Sequence, residues 1–406
     1  MRSDPMRSTA LDLTSPELVA DPYPALAEER ARGPLAWHEQ SGTFLTFDHA
    51  TVSAVLRDRR LGRIWKDREP AAYLEPFNLL HRHQMMENEP PEHTRLRRLV
   101  ASAFNRGHVE RLRPRVRELA AGLLAGVDPA GFDVIAEYAE PLPVLVIAEL
   151  LGVPTELAPE LRAWSQVIVK MYEVAPSDAV VAAAVAAATD FAAVVRELAR
   201  ERAAAPLDDL VSDLVRASTL WPSDGEGAGR TERLSEDEVV ASAVLLLNAG
   251  HEASVNVFGN GLVAMLRAGI RPHEDQLATC MEEMLRYDSA LQLFERTATR
   301  PVEVAGVGLE PGQKVAALLG AANRDPAVFD DADTFRVDRD PNPHVAFGAG
   351  VHFCLGAPLA RMEIVESLGH LLRTFPDLSL AAEPESRGTF VLRGYRTVAV
   401  TGTPVG

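Results

Sequence analysis

The residues best suited to chemistry form the run Phe-Gly-Ala-Gly-Val-His-Phe-Cys-Leu-Gly, from Phe347 to Gly356. Cys354 follows Gly348 and Gly350 and precedes Gly356, and Pro358 marks the first turn of a helix predicted just beyond it. Glycine admits left-handed backbone angles and lets a chain approach a flat ligand closely. A helix N-terminus offers free N–H groups and the positive end of a dipole, and both favour thiolate over thiol. Amide donors near a sulfur also tune a metal bound to it, so the loop has the make-up of an iron–thiolate site. Other chemistries compete. A lone cysteine is more often a buried, inert hydrophobe, and a nucleophile paired with His352 also fits the spacing. A zinc site does not, for want of neighbouring ligands.

Three further constellations stand upstream. Glu283 and Arg286 lie three apart, on one helical face. Taken alone, such a pair is a common surface feature of little energetic weight. The run Leu-Leu-Leu-Asn-Ala-Gly-His-Glu-Ala-Ser, from Leu245 to Ser254, sets Gly250 inside an apolar helical stretch, at a cost of about 1 kcal/mol against alanine. Tight helix packing at Ala249-Gly250, with the charges facing solvent, would explain it without any ligand. His93 and Arg97 are four apart on a predicted helix, and Arg296 stands in a later Arg-Thr-Ala-Thr run. Each alone reads as an ordinary surface charge.

The elements that must position these residues are mostly helices. Helical periodicity covers residues 92–104, 179–203, 235–267, 276–287 and 357–374, and Ser235 with Glu238 forms a capping-box pattern at the start of the third. Extended signals are short. Residues 35–37 and 43–47 could pair across Ser41-Gly42, residues 302–304 and 314–317 flank Pro311-Gly312, and residues 390–392 and 398–400 close the chain. Residues 221–231, rich in glycine, read as a surface loop, with a domain boundary as the alternative. The fold class is mainly α with small β-sheets (α+β), in a single domain spanning residues 1–406.

Composition narrows the function. A net charge of −17 repels phosphate backbones and anionic lipid, so neither nucleic acid nor a membrane is an expected partner. No stretch reads as long enough to span a bilayer, and residues 1–16 lack the apolar centre of a signal peptide. With only 2 cysteines a disulfide framework is excluded, and the chain reads as cytoplasmic.

The cysteine run resembles the haem-binding loop of the cytochrome P450 family. The other motifs follow in that family's order, from Asp21-Pro22-Tyr23-Pro24 through Asn323-Arg324-Asp325-Pro326 to the terminal strands. The resemblance implies a triangular helical prism around haem b, with Cys354 as the iron ligand and Phe347, Gly348 and Gly356 shaping its loop. It implies that His93, Arg97, Arg296 and His352 bind the haem propionates. Glu283 and Arg286 correspond to the family's buried brace, whose third member is an Arg; here Arg336 or Arg339 is the substitute. Residues 245–254 resemble the oxygen-binding helix, with catalytic positions Ala249, Gly250, Glu252, Ala253 and Ser254.

One departure concerns proton delivery. Ala253 stands where the family has threonine, and Ser254 is rotated from it by about 100°. Glu252, ordered water and a polar group of the substrate are expected to serve in place of that hydroxyl, with Ser254 or Asn248 holding the relay water as the alternative. The implied activity is monooxygenation of a lipophilic small molecule, a secondary metabolite, by dioxygen and two electrons. NAD(P)H, a ferredoxin reductase and a ferredoxin would supply the electrons to a monomeric enzyme. The ferredoxin would dock on a basic face bearing Arg97, Arg98, Arg106 and Arg361. Residues 60–86, 164–172, 245–249, 291–294 and 389–392 are expected to line the substrate pocket. A peroxide-driven enzyme of the same fold is disfavoured because it usually carries Arg-Pro where this chain has Glu252-Ala253. A non-enzymatic haem sensor or carrier remains the third reading.

Overall fold

A computed structural model describes residues 7–103, 106–172, 176–219 and 233–405. The expected loop at residues 221–231 and the side chain of Arg106 lie outside the described residues.

The centre of the molecule is a helix of 32 residues, Glu236–Arg267, that begins with the predicted capping box at Ser235 and Glu238. Its side chains are apolar around most of the circumference, as a helix surrounded by protein requires. It packs against Pro141–Leu151, Ala158–Val169, Asp178–Ala204 and Leu277–Tyr287, which together with the helix Ala357–Thr374 enclose the largest core cluster. The last of these begins directly after the cysteine loop, with Gly356 as N-cap and a proline in its first turn. There the absent proline N–H costs nothing.

Helix Asp178–Ala204 corrects one expectation. Its 27 residues are long and apolar enough to cross a membrane by length and composition. Alanines and valines give it that character, while Phe191, Val195 and Leu198 bury one side in the core. About a third of its most apolar stretch is buried.

The expected hairpin forms between Leu35–His38 and Thr43–Thr46. These strands join a sheet of 6 strands, in the order Ser8–Thr9, Leu35–His38, Thr43–Thr46, Lys314–Leu318, Leu293–Ala298, Leu61–Gly62. Two pairings differ from expectation. Val302–Val304 pairs with Val307–Leu309, across a turn where Ala305 and Gly306 take positive φ, and not with Lys314–Leu318. Residues 390–392 form no strand; Leu392 makes one isolated bridge to Leu291, and the terminal strands are Tyr395–Thr397 and Ala399–Thr401. Phe390, placed in the pocket by sequence, is 5% exposed and packs in a core cluster with Leu18 and Leu318.

Candidate functional site

The cysteine loop is built by backbone conformation. Gly348 and Gly350 have φ of +69° and +73°. A Cβ on Gly350 would also collide with the Leu56 carbonyl, so the loop lies flush on helix His49–Arg57. The N–H of Cys354 donates to Phe347 O at 3.0 Å, closing the loop. Burial pushes the Cys354 thiol up, while the N–H groups of Gly356 and Ala357 and the charges of Arg97 and Arg361 oppose it. These groups all favour the anionic sulfur, which is what a metal would bind. His352 turns its Nε2 to Glu89 Oε1 at 2.7 Å, and no hydrogen bond joins it to the Cys354 sulfur among the described residues, so the nucleophile reading gains no dyad there.

On the central helix, burial is nearly continuous from Val239 to Val263, apart from Ala249, Gly250 and Ala253. Ala249 is exposed although its helix runs through the core. Ala249 and Ala253 are four apart and share a face, so small side chains there border open space within the protein. Tight packing does not explain Gly250, because a Cβ there would meet Ile147 at an ordinary 3.7 Å.

Glu252 lies on the flank of that face, and its carboxylate is already engaged. Arg387 donates NH1 to Glu252 Oε2 at 3.0 Å, and its NH2 approaches Glu140 at 3.9 Å. Burial pushes the Glu252 carboxyl up, against the pull of Arg387. The other oxygen, Glu252 Oε1, is buried without a hydrogen-bond partner.

Ser254, in contrast, lines a small cavity with Tyr138, Phe258 and Glu363. Glu363 belongs to helix Ala357–Thr374, and burial, with no opposing charge, pushes its carboxyl up to about 8. Sequence offered one signal for it, a carboxylate among the apolar positions of that helix.

The expected propionate ligands form one cluster. The rings of His93 and His352 lie 4.5 Å apart, and Arg97 NH2 donates to Phe353 O at 2.8 Å. Arg296 is 1% exposed and has no carboxylate partner among the described residues; its NH1 donates to Glu295 O at 3.1 Å. Burial, with Arg63 adding to it, pushes the guanidinium down to about 9. Arg63 was missed by sequence reasoning. Its guanidinium and that of Arg296 stack on the Phe294 ring, at 4.4 and 4.6 Å from the centroid. His93 Nδ1, Arg63 Nε and Arg296 Nε are buried without a hydrogen-bond partner.

Arg63 is paired with Glu87 and His352 with Glu89, but Arg296 is buried with no carboxylate partner among the described residues. Burying such a cation is costly, so the cluster suits a bound anionic group. A haem with two propionates fits it. The flat approach at the glycine loop and the sulfur faced by two N–H groups fit the same group.

The brace is complete. Arg286 donates Nε and NH2 to Glu283 at 2.8 and 2.7 Å, and Arg339 Nε adds bonds at 3.1 and 3.3 Å. Arg336 contributes only its backbone N–H, at 2.9 Å. Of the two candidates, the third member is therefore Arg339.

Comparison with known proteins agrees with this geometry. A family model described as Cytochrome P450 matches residues 276–387. The cytochrome P450 monooxygenase PikC of Streptomyces venezuelae is 37% identical over 91% of this chain and 87% of its own. The vitamin D(3) 25-hydroxylase of Pseudonocardia autotrophica is 36% identical over 97% of this chain and 96% of its own. The structure of P450BioI with a fatty-acylated acyl carrier protein superposes with a TM-score of 0.88 at 30% identity, covering 95% of this chain and all of that one. From its sulfur loop, its buried brace and these relatives, the chain belongs to the cytochrome P450 family and is a haem-thiolate monooxygenase that carries haem b.

Proposed function

We propose that this enzyme oxidises a lipophilic secondary metabolite in the cytoplasm, as a monomer of one domain, with Cys354 holding the iron. When bound, the haem supplies activation of dioxygen and insertion of one oxygen atom, driven by two electrons and two protons, with the thiolate favouring O–O cleavage. Gly348, Gly350 and Phe347 shape the loop that lies against the cofactor. The N–H groups of Gly356 and Ala357 hold negative charge on the sulfur. His93, Arg97, Arg296 and His352 hold the two propionates, with Arg63, itself paired with Glu87, beside them. Ala249, Gly250 and Ala253 leave the space in which dioxygen and one C–H bond meet.

Proton delivery runs through this chain's own hydroxyl and carboxyl. Ser254 and Glu363 border one cavity, and Glu363 is neutral near pH 7 because burial pushes it to about 8. A neutral buried carboxyl is a proton donor held in reserve. Glu252, held by Arg387 on the flank of the open face, shares the relay through ordered water, while a polar group of the substrate supplies the hydrogen bond that Ala253 cannot. The relatives support a lipophilic substrate: one is named for hydroxylating vitamin D(3), and one was solved with hexadecenoyl-loaded acyl carrier protein. Electrons would come from NAD(P)H through a ferredoxin reductase and a ferredoxin, docking near Arg97, Arg98 and Arg361.

The observation that carries this reading is the Cys354 sulfur, half-buried and faced by two N–H groups at the start of a helix. A carbon monoxide difference spectrum of the reduced protein tests it. Thiolate ligation should be evident in the native enzyme and lost in Cys354→Ala; an unchanged spectrum refutes it. For the proton route, the fraction of NAD(P)H lost as peroxide should rise in Ser254→Ala and Glu363→Gln. It should rise again when the substrate is replaced by an analogue lacking its nearest hydroxyl. Native coupling in Glu363→Gln would dismiss the carboxyl.

A further inference from the structure

Two carboxylates border the cation cluster: Glu87 pairs with Arg63, and Glu89 pairs with His352 while leaving Arg296 without an ion-pair partner. Glu89 precedes helix Glu92–Ala103, and its Oε1 accepts the backbone N–H of Arg63 at 2.7 Å. The same oxygen lies 2.7 Å from His352 Nε2. Its side chain lies across Gly62, where a Cβ would come within 2.6 Å of Glu89 Cγ. A side chain at position 62 would force this carboxylate out of its seat, which glycine leaves open. Arg296, the most buried cation of the cluster, makes no ion pair with it. Glu89 therefore holds one histidine ring while the guanidinium beside it stays unpaired.

We propose that Glu89 is a positioning residue for the haem: seated on Gly62, it grips His352 by Nε2 so that the ring's other edge faces a propionate. This rests on the haem-thiolate reading above. Two consequences follow from the geometry. The ring and its bond to the cofactor should be fixed by Glu89, as outer partners fix metal-bound histidines. The charge of Glu89, one ring away from the propionates, should also disfavour adding an electron to the site.

The test uses the haem-loaded enzyme and four variants: Glu89→Ala, Glu89→Gln, Glu89→Asp and Gly62→Ala. Haem loss is followed as transfer to excess apomyoglobin, and the reduction potential is titrated by spectrum. Glu89→Ala and Gly62→Ala should each speed haem loss, by about 10- to 100-fold on the scale of lost outer-shell partners. Glu89→Gln keeps an acceptor oxygen but not the charge, so it should retain haem better than Glu89→Ala while its potential moves upward. Glu89→Asp should lie between native and alanine in haem loss, with a native-like potential. Slower or unchanged haem loss in both Glu89→Ala and Gly62→Ala overturns the proposal; slower loss would make Glu89 a competitor of the propionate. An unmoved potential in Glu89→Gln also overturns it, by reducing Glu89 to a packing residue. Failure of the native protein to take up haem would instead sink the family-level reading of the site, and with it this proposal.

Discussion

Replacing Arg339 by alanine tests the brace where sequence offered two candidates. Its guanidinium reaches Glu283 by Nε at 3.1 and 3.3 Å and three backbone carbonyls: Asp330 at 2.7 Å, and Asp331 and Thr334 at 3.2 Å. Glu283 is 0% exposed and Arg339 6%. Removing one partner of a buried charge pair costs about 3–5 kcal/mol, because the remaining groups are left unsatisfied. Unfolding entropy of about 2.1 cal/mol/K per residue, over 406 residues, comes to about 0.85 kcal/mol/K. The loss therefore lowers the melting midpoint by about 4–6 °C. Arg336→Ala is the control. Arg336 gives Glu283 only its backbone N–H, which alanine keeps, and its side chain pairs with the exposed Asp338. Thermal unfolding of the haem-loaded protein, followed by circular dichroism, should show a lowered midpoint for Arg339→Ala and none for Arg336→Ala. Equal shifts in the two variants would refute the assignment of the brace.

Stability should fall as pH rises between the ordinary carboxyl value of 4.5 and about 8, because the unfolded chain ionises Glu363 while the folded protein keeps it protonated. Glu363→Gln should remove that component in urea titrations across this range, and an identical pH slope in both proteins would count against it. Arg387→Met leaves Glu252 and Glu140 buried together without their shared cation. Its cost should fall at the lower end of about 3–5 kcal/mol, since Arg387 is partly exposed, and a denaturation midpoint unchanged from native would show that the pair contributes nothing. Raising salt should slow reduction of the iron by a ferredoxin, since charge attraction across an exposed face is screened; a rate independent of salt would exclude the basic face. Arg361 should matter less than Arg98 in that assay, because Glu282 already binds it at 2.6 Å.

Local pattern alone placed the five helices with clear periodicity and the sulfur loop, while helices such as His49–Arg57 and Pro141–Leu151 were not delimited by it. Ser235 and Glu238 are three apart and cap the same turn wherever the helix lies, and Pro358 suits the first turn of a helix, where its missing N–H costs nothing. Spacing likewise put Glu283 and Arg286 on one face, since that depends only on helical rotation. Packing decided everything that joins residues far apart in the chain. Arg339 and Arg336 are equivalent to within one helical turn in sequence, yet only one side chain points inward to Glu283. The strand Leu293–Ala298, which carries Arg296, was hidden because its alternation is weak and its partners come from residues 61–62 and 314–318. Glu252 could be placed on its helix but not aimed, because the residue that holds it, Arg387, is 135 positions away. Glu363 and Ser254 share a cavity for the same reason: one helix crosses another. Sequence periodicity reports which way a residue faces along its own axis, whereas a site is made where axes meet, and those distances exist only after the core has closed.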